Sequence, residues 1–177
     1  MQRIIKEYLP YVVLIIIVIL IRTFIITPVR VSGTSMDKTL TNGQILILYK
    51  LSDIKRDDIV VVDKKVQGST LIKRLIALPG ETIECINGKI FINDKEYDDK
   101  YAYGITEDFP KVELKEDEYF ILGDNRIVSE DSRYFGPIKK KNIRGYIIFS
   151  LYPFNRFGKI WYSINIRRSE IWIGKEF

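Results

Sequence analysis

From Tyr8 to Ile26 the chain reads YLPYVVLIIIVILIRTFII, a 19-residue run whose only charge is Arg22. As a helix rising about 1.5 Å per residue it would span about 28 Å, close to the hydrocarbon thickness of a bilayer. Few folds accommodate such a run. It has no amphipathic pattern, so it does not suit a helix lying half-buried on a soluble core. Arg3 and Lys6 precede it, as they would in a secretory signal, yet no small-residue cleavage site follows. The expectation is an uncleaved transmembrane anchor over 8–26, a short tail over 1–7, and a water-soluble body over 27–177. Pro10 then falls in the first turn, where a helix tolerates it. Arg22 lies near the other end, where its side chain can snorkel to the interface. The flanking charges do not orient the helix, because Arg22 and Arg30 offset Arg3 and Lys6.

Composition narrows the chemistry of the body. The chain has no histidine, which removes every Ser-His and Cys-His device and any His-based metal site. The single cysteine, Cys85, excludes an intramolecular disulfide and reads as a small buried residue on a strand. A hydrolase built from this chain must use carboxylates, or Ser, Thr or Lys chemistry. The net charge of +5 is uneven: nine basic and two acidic residues lie between Lys139 and Phe177. Such a region suits nucleic acid or anionic lipid head groups alike. The anchor favours lipid, with Trp161, Tyr162 and Trp172 at the interface beside Arg167 and Arg168.

Beyond Ile26 the pattern changes to period two. Ile45–Tyr49, Asp58–Val62, Thr70–Leu78, Tyr119–Leu122 and Tyr146–Leu151 are short runs rich in β-branched and aromatic residues. Glu81–Ile86, Asn87-Gly88 and Lys89–Ile92 form a hairpin signal, since Asn-Gly supplies the two positive φ values of a type I′ turn. Gly43, Pro79-Gly80 and Gly123-Asp124-Asn125 punctuate the rest. The body is expected to be mostly antiparallel β, a partly closed coiled sheet or small barrel. Residues 94–118 are polar and weakly patterned and read as a looped insertion.

Three segments carry candidate chemistry. The first is the small-residue loop Val31-Ser32-Gly33-Thr34-Ser35-Met36-Asp37-Lys38-Thr39-Leu40; alone, a serine in such a loop is usually only a turn. In the second, Lys73 and Arg74 interrupt the apolar strand Leu71–Ile76, either as gatekeepers on an exposed edge or with one cation turned inward. The third, Gly123 to Gly136, is dense in polar groups directly after an apolar strand. Together they say more than singly. A serine hydroxyl needs a base to act as a nucleophile, and without histidine that base can be a lysine whose amine is kept neutral. Lysine titrates near 10.4 in water, and a downward shift of ~3 units needs roughly 4 kcal/mol of desolvation. Lys73, flanked by Leu71, Ile72, Leu75 and Ile76, is the lysine best placed for it.

These segments resemble, in the same order, the motif boxes of bacterial type I signal peptidases. Ser35-Met36 follows the anchor, Ile72-Lys73-Arg74 precedes Leu78-Pro79-Gly80, and Gly123-Asp124-Asn125-Arg126 leads to Ser129 and Asp131-Ser132-Arg133. Arg56–Val62 and Tyr152–Gly158 are similar to two further family segments, so the resemblance runs from the anchor to about residue 160. It implies a membrane-bound serine endopeptidase that removes signal peptides from exported preproteins. Ser35 would attack the scissile carbonyl, and Lys73 would take its proton and pass it to the leaving amine. Ser129 would orient the lysine, and Gly123 would let the backbone pass close to it. Asp124 with Arg74, and Asp131 with Arg133, would buttress the site. Gly33, Thr34 and Met36 would line the substrate side, and the Ser35 N–H would donate to the oxyanion. The family further implies small substrate residues at −1 and −3, no cofactor or metal, no nucleic-acid partner, a monomer, a cytoplasmic N-terminus and an extracytoplasmic catalytic domain.

The sequence departs from the family pattern at three places. Lys38 stands where proline is usual, which suggests a less rigid loop after the nucleophile. Ile127-Val128 replaces a more polar pair. Gly33 offers no hydroxyl, which leaves the second oxyanion donor unassigned. Two other readings compete. One is a related Ser-Lys processing peptidase of a dedicated secretion or conjugation system. The other is a catalytically dead, membrane-tethered binding module, whose signature would be loss of Ser35 or Lys73.

Overall fold

The structure is a computed structural model that describes residues 2–51, 53–64 and 69–160. Its first element, α1, spans Gln2–Leu20 and continues into a π-helical turn, Ile21–Ile25. The helix starts at Gln2 rather than at the apolar boundary, because Lys6, Glu7 and their neighbours are good helix formers. Pro10 therefore lies in the helix interior, not in its first turn. The stretch Lys6–Ile25 is long and apolar enough to cross a bilayer, and among the described residues none of it is fully buried. Extended backbone begins at Ile26, two residues before Pro28, whose ring disfavours helical backbone at the residue preceding it. Two carbonyls left over at the helix end find donors: Thr27 Oγ1 donates to Arg22 O at 3.0 Å and Lys50 Nζ to Thr23 O at 2.8 Å.

Every strand-to-strand pairing described in the body is antiparallel, in two sheets. The strands are β1 (Ile26–Arg30), β2 (Ile45–Tyr49), β3 (Ile59–Lys64), β4 (Ser69–Ala77), β5 (Thr82–Ile86), β6 (Lys89–Ile92), β7 (Lys95–Glu96), β8 (Phe109–Glu113), β9 (Glu118–Leu122), β10 (Ile138–Lys139), β11 (Ile143–Tyr152) and β12 (Gly158–Lys159). The larger sheet has the order β1-β2-β11-β3-β4-β9-β10, with β12 on β11, and the smaller has β7-β6-β5-β8. Among the described residues the edge strands β1 and β10 do not pair with each other, so the larger sheet is open.

The core explains why some strands read as unbroken apolar runs. On β3, Ile59 and Val61 pack into one cluster with Met36, Leu40, Leu46 and Leu48. Val60 and Val62 pack into a second with Leu75, Tyr119 and Ile121. With both faces covered, every position is apolar, and each of these side chains contributes roughly 1.5–3 kcal/mol as an upper figure. A third cluster joins the sheets, with Ile76, Ala77 and Phe120 against Ile83, Cys85 and Ile90. Burial there pushes the Cys85 thiol up to about 11, which keeps it a packing residue.

The Asn87-Gly88 turn has the expected pair of positive φ values, 52° and 76°, and closes Ile86 onto Lys89. Residues 94–118 are not loop throughout. Phe109–Glu113 pairs with β5, and Phe109 stacks on Phe120 with ring centroids 5.3 Å apart. Pro110 and the alternating charges hide this strand in the sequence, but it is an edge, where proline is tolerated. The aromatic and basic residues Trp161, Tyr162, Arg167, Arg168 and Trp172 lie outside the described residues.

One glycine carries the crossing of β11 over its neighbours. Gly145 has φ 149° at a register shift against β3, and a Cβ there would sit 2.1 Å from the Tyr49 carbonyl oxygen. Gly145→Ala is expected to destabilise the body by about 1–3 kcal/mol. Urea unfolding of the detergent-solubilised protein checks this, and an unchanged midpoint would contradict it.

Candidate active site

The serine loop is strung between β1 and β2. Its ends are drawn together by Val31 N–H donating to Gln44 O (2.8 Å) and Gly43 N–H to Val31 O (2.9 Å). Met36 and Leu40 are the apolar pegs of the loop, both buried in the core, and a turn joins them through Leu40 N–H to Met36 O at 2.7 Å. Ser35, directly before the first peg, is half-buried. Gly33, at φ 93°, and Thr34 are exposed beside it. The Gly33 N–H donates to Asn42 Oδ1 at 3.2 Å.

Ser35 and Lys73 line one cleft, whose apolar walls include Val29, Val31, Met36 and Ile72. Lys73 sits on β4 opposite Val60 and is 3% exposed. Its Nζ donates to Ser129 Oγ at 2.9 Å. The choice between an exposed gatekeeper strand and an inward cation is thereby resolved: both Lys73 and Arg74 are buried.

Arg74 is fully buried and its guanidinium is met on every side. Nε and Nη2 donate to the two Asp124 oxygens at 2.8 and 2.6 Å, and Nη1 donates to Asp57 O at 2.7 Å. The Tyr101 ring lies 3.8 Å from the guanidinium carbon. Thr39 Oγ1 adds a donor to Asp124 Oδ2 at 2.5 Å. The serine loop and β4 are thus joined through one carboxylate.

A second carboxylate closes the Gly123–Arg133 loop on itself. Asp131 accepts from Gly123 N–H at 3.0 Å and from Arg133 Nε at 2.8 Å, and caps the single helical turn α2 (Ser132–Phe135). Arg133 Nη2 also donates to the carbonyls of Arg126 (2.9 Å) and Ser129 (3.1 Å). Ser129 is thereby fixed by its backbone while its hydroxyl faces Lys73. Gly123 is where chains come closest: a Cβ would lie 2.1 Å from Ser129 Oγ and 2.7 Å from Ser35 O. The close approach is to these two serines rather than to the lysine itself.

Two residues legible only as part of a motif, Asn125 and Arg126, have partners that the sequence did not indicate. Asn125 N–H donates to Ser35 O at 3.0 Å and Asn125 Nδ2 to Thr34 O at 3.3 Å, binding the two loops edge to edge. Arg126 is buried, with Nε on Gly123 O (2.9 Å), Nη1 on Thr106 Oγ1 (2.6 Å) and Nη2 on Asp99 Oδ1 (2.8 Å). Burial raises the Asp99 carboxyl above its ordinary range, against the opposing pull of Arg126. A polar residue directly after Asp124-Asn125 was legible as part of a motif; its partners, 20 and 27 positions away in a polar stretch, were not.

An apolar helix leading into an antiparallel β body, with a loop serine and a buried lysine on one cleft, is the pattern of a membrane-anchored serine peptidase. Comparison with known proteins narrows the class. The model of the family described as "Signal peptidase, peptidase S26" matches residues 3–152. A signal peptidase I of Bacillus licheniformis is 38% identical over 164 residues, covering 84% of this chain and 88% of that one. A signal peptidase I of Streptococcus pneumoniae is 32% identical over 198 residues, covering 89% and 97%. The crystal structure of a signal peptidase I from Enterococcus faecalis matches with a TM-score of 0.50 and 32% identity, over 55% of this chain and 98% of that one. The chain belongs to the signal peptidase family, peptidase S26.

Asp124→Ala would leave the fully buried Arg74 guanidinium without its carboxylate. Loss of one partner of such a pair costs about 3–5 kcal/mol. Chemical denaturation is expected to show a loss in that range, and a variant as stable as the parent would contradict the clamp described here.

Proposed function

We propose that this protein is a signal peptidase I that cleaves N-terminal signal peptides from exported preproteins, with Ser35 as nucleophile and Lys73 as general base. The observation that carries this reading is that Ser35 and a lysine buried to 3% exposure line the same cleft, beside Val29, Val31, Met36 and Ile72. Desolvation penalises an ammonium more than an amine, which is what a lysine base requires at neutral pH. Ser129 Oγ, 2.9 Å from Lys73 Nζ, holds the amine in place. Lys73 takes the Ser35 proton as the hydroxyl attacks the scissile carbonyl, and returns it to the leaving amine. The Ser35 N–H stabilises the oxyanion, a contact of a kind worth about 2.7–4 kcal/mol. Gly33, Thr34 and Met36 form the substrate side of the cleft, whose walls favour small residues at −1 and −3.

The exposed apolar helix supports a single-pass membrane protein; the family resemblance implies that residues 1–7 are cytoplasmic and 27–177 lie outside. One copy carries every side chain the reaction uses, in keeping with a monomer. Only nine positions separate Ile26 from Ser35, so the hydroxyl stays within about 30 Å of the bilayer surface, where a membrane-inserted signal peptide presents its cleavage site.

Ser35→Ala, Lys73→Ala and Lys73→Arg are each expected to lower kcat on a preprotein by about 10³-fold or more while the body stays folded. The arginine variant fails because a guanidinium cannot give up its proton. Cleavage assays with circular dichroism alongside check this; parental turnover by any of the three would refute the role of that residue.

A further inference from the structure

Lys38 departs from the family pattern, and the structure shows what it does instead. Its φ is 72°, in the left-handed region that proline, fixed near −65°, cannot enter. The backbone of this loop therefore takes a path that the usual residue would forbid. Its Nζ lies 3.5 Å from the centroid of the Tyr103 ring, well inside cation–π range. That ring stands on a fixed base. Tyr103 N–H donates to Asp124 O at 2.6 Å, Arg126 N–H donates to Tyr103 O at 2.9 Å, and residue 103 bridges residue 125 in parallel. The bridged segment is the one whose Asn125 N–H holds the Ser35 carbonyl.

We propose that Lys38 and Tyr103 form a strap that positions the nucleophile loop, taking over in this chain the stiffening that proline supplies elsewhere. The loop is then held at three places to the Asp124–Arg126 segment and to Tyr103, which is bridged to it. Asn125 holds the backbone at Ser35, the Tyr103 ring holds the side chain of Lys38, and Asp124 holds the hydroxyl of Thr39. Without the middle link, a left-handed non-glycine residue three positions after the nucleophile has no side-chain contact to keep it there, and the direction of the Ser35 hydroxyl loosens. Neither residue touches the reacting atoms; both are positioning residues. The proposal rests on the reading of Ser35 as nucleophile.

The test is steady-state cleavage of a preprotein by the full-length protein in detergent, with Ser35→Ala as the control. Lys38→Met and Tyr103→Leu are each expected to lower kcat about two- to fivefold, the effect of an exposed cation–π contact, with KM unchanged. The double variant is expected to be no slower than either single one, because both remove the same link. Lys38→Arg and Tyr103→Phe, which keep the cation and the ring face, retain most of the parental rate, whereas Lys38→Pro falls below Lys38→Met. Parental kcat in Lys38→Met, multiplying losses in the double variant, or full activity in Lys38→Pro would each overturn the strap. A Ser35→Ala variant that still cleaves would overturn the underlying nucleophile assignment, and the strap with it. An inert Ser35→Ala beside a fully active Lys38→Met sinks the strap alone.

Discussion

The buried Arg74–Asp124 pair is the constraint from which the rest of the site follows. Arg74 adjoins Lys73 on β4, and Asp124 adjoins Gly123 and Asn125, so a single bidentate contact fixes the lysine strand against the loop that carries Ser129. The Thr39 hydroxyl on the same carboxylate brings in the serine loop. Such a pair is weak evidence for net stability, because removing two charges from water costs about as much as their attraction returns. Its value here is register: a guanidinium buried completely has one place to be, and three segments distant in sequence are located by it.

Around that clamp the polar groups bond mainly to one another, with Asn125 Oδ1 and Arg133 Nη1 the buried exceptions. Asp131 ties Gly123 to Arg133, Arg133 holds the Ser129 carbonyl, and Arg126 ties Gly123 to Asp99 and Thr106. Glycine at 123 is required because Ser129 and the Ser35 carbonyl both fill the space a side chain would need. The loop can therefore bring a hydroxyl to Lys73 without a mobile element in between. Lys73 itself is buried beside Val29, Val31, Met36 and Ile72 and donates to Ser129 Oγ.

How much of this was legible in the sequence depends on the range of the interaction. The strands with alternating or unbroken apolar runs were visible, and so was the Asn87-Gly88 turn, because local sterics dictate them. The Lys73-Arg74 interruption of an oily strand stood out because a charge in such a place needs a reason. The strands Ile26–Arg30 and Phe109–Glu113 were not visible: each contains a proline, and each is an edge whose pairing is decided by a distant partner. The buried roles of Asp99, Tyr101, Thr106 and Arg126 were hidden for the same reason, since nothing local distinguishes a carboxylate in solvent from one facing an arginine 27 positions away. Lys38 was legible only as a departure from the family pattern, and a looser loop was the natural expectation until the Tyr103 ring supplied its partner.

In the proposed reaction the Ser35 oxygen becomes acylated, and the amine of Lys73 makes this possible. Rapid acid quenching of the protein during turnover of a preprotein, followed by intact-mass and peptide mass spectrometry, looks at that event itself. An ester between the signal-peptide fragment and Ser35 is expected in the parent, and none in Lys73→Met, whose side chain has similar length but no amine. An adduct on any other residue, or an ester forming on Ser35 as readily in Lys73→Met as in the parent, would contradict that reaction.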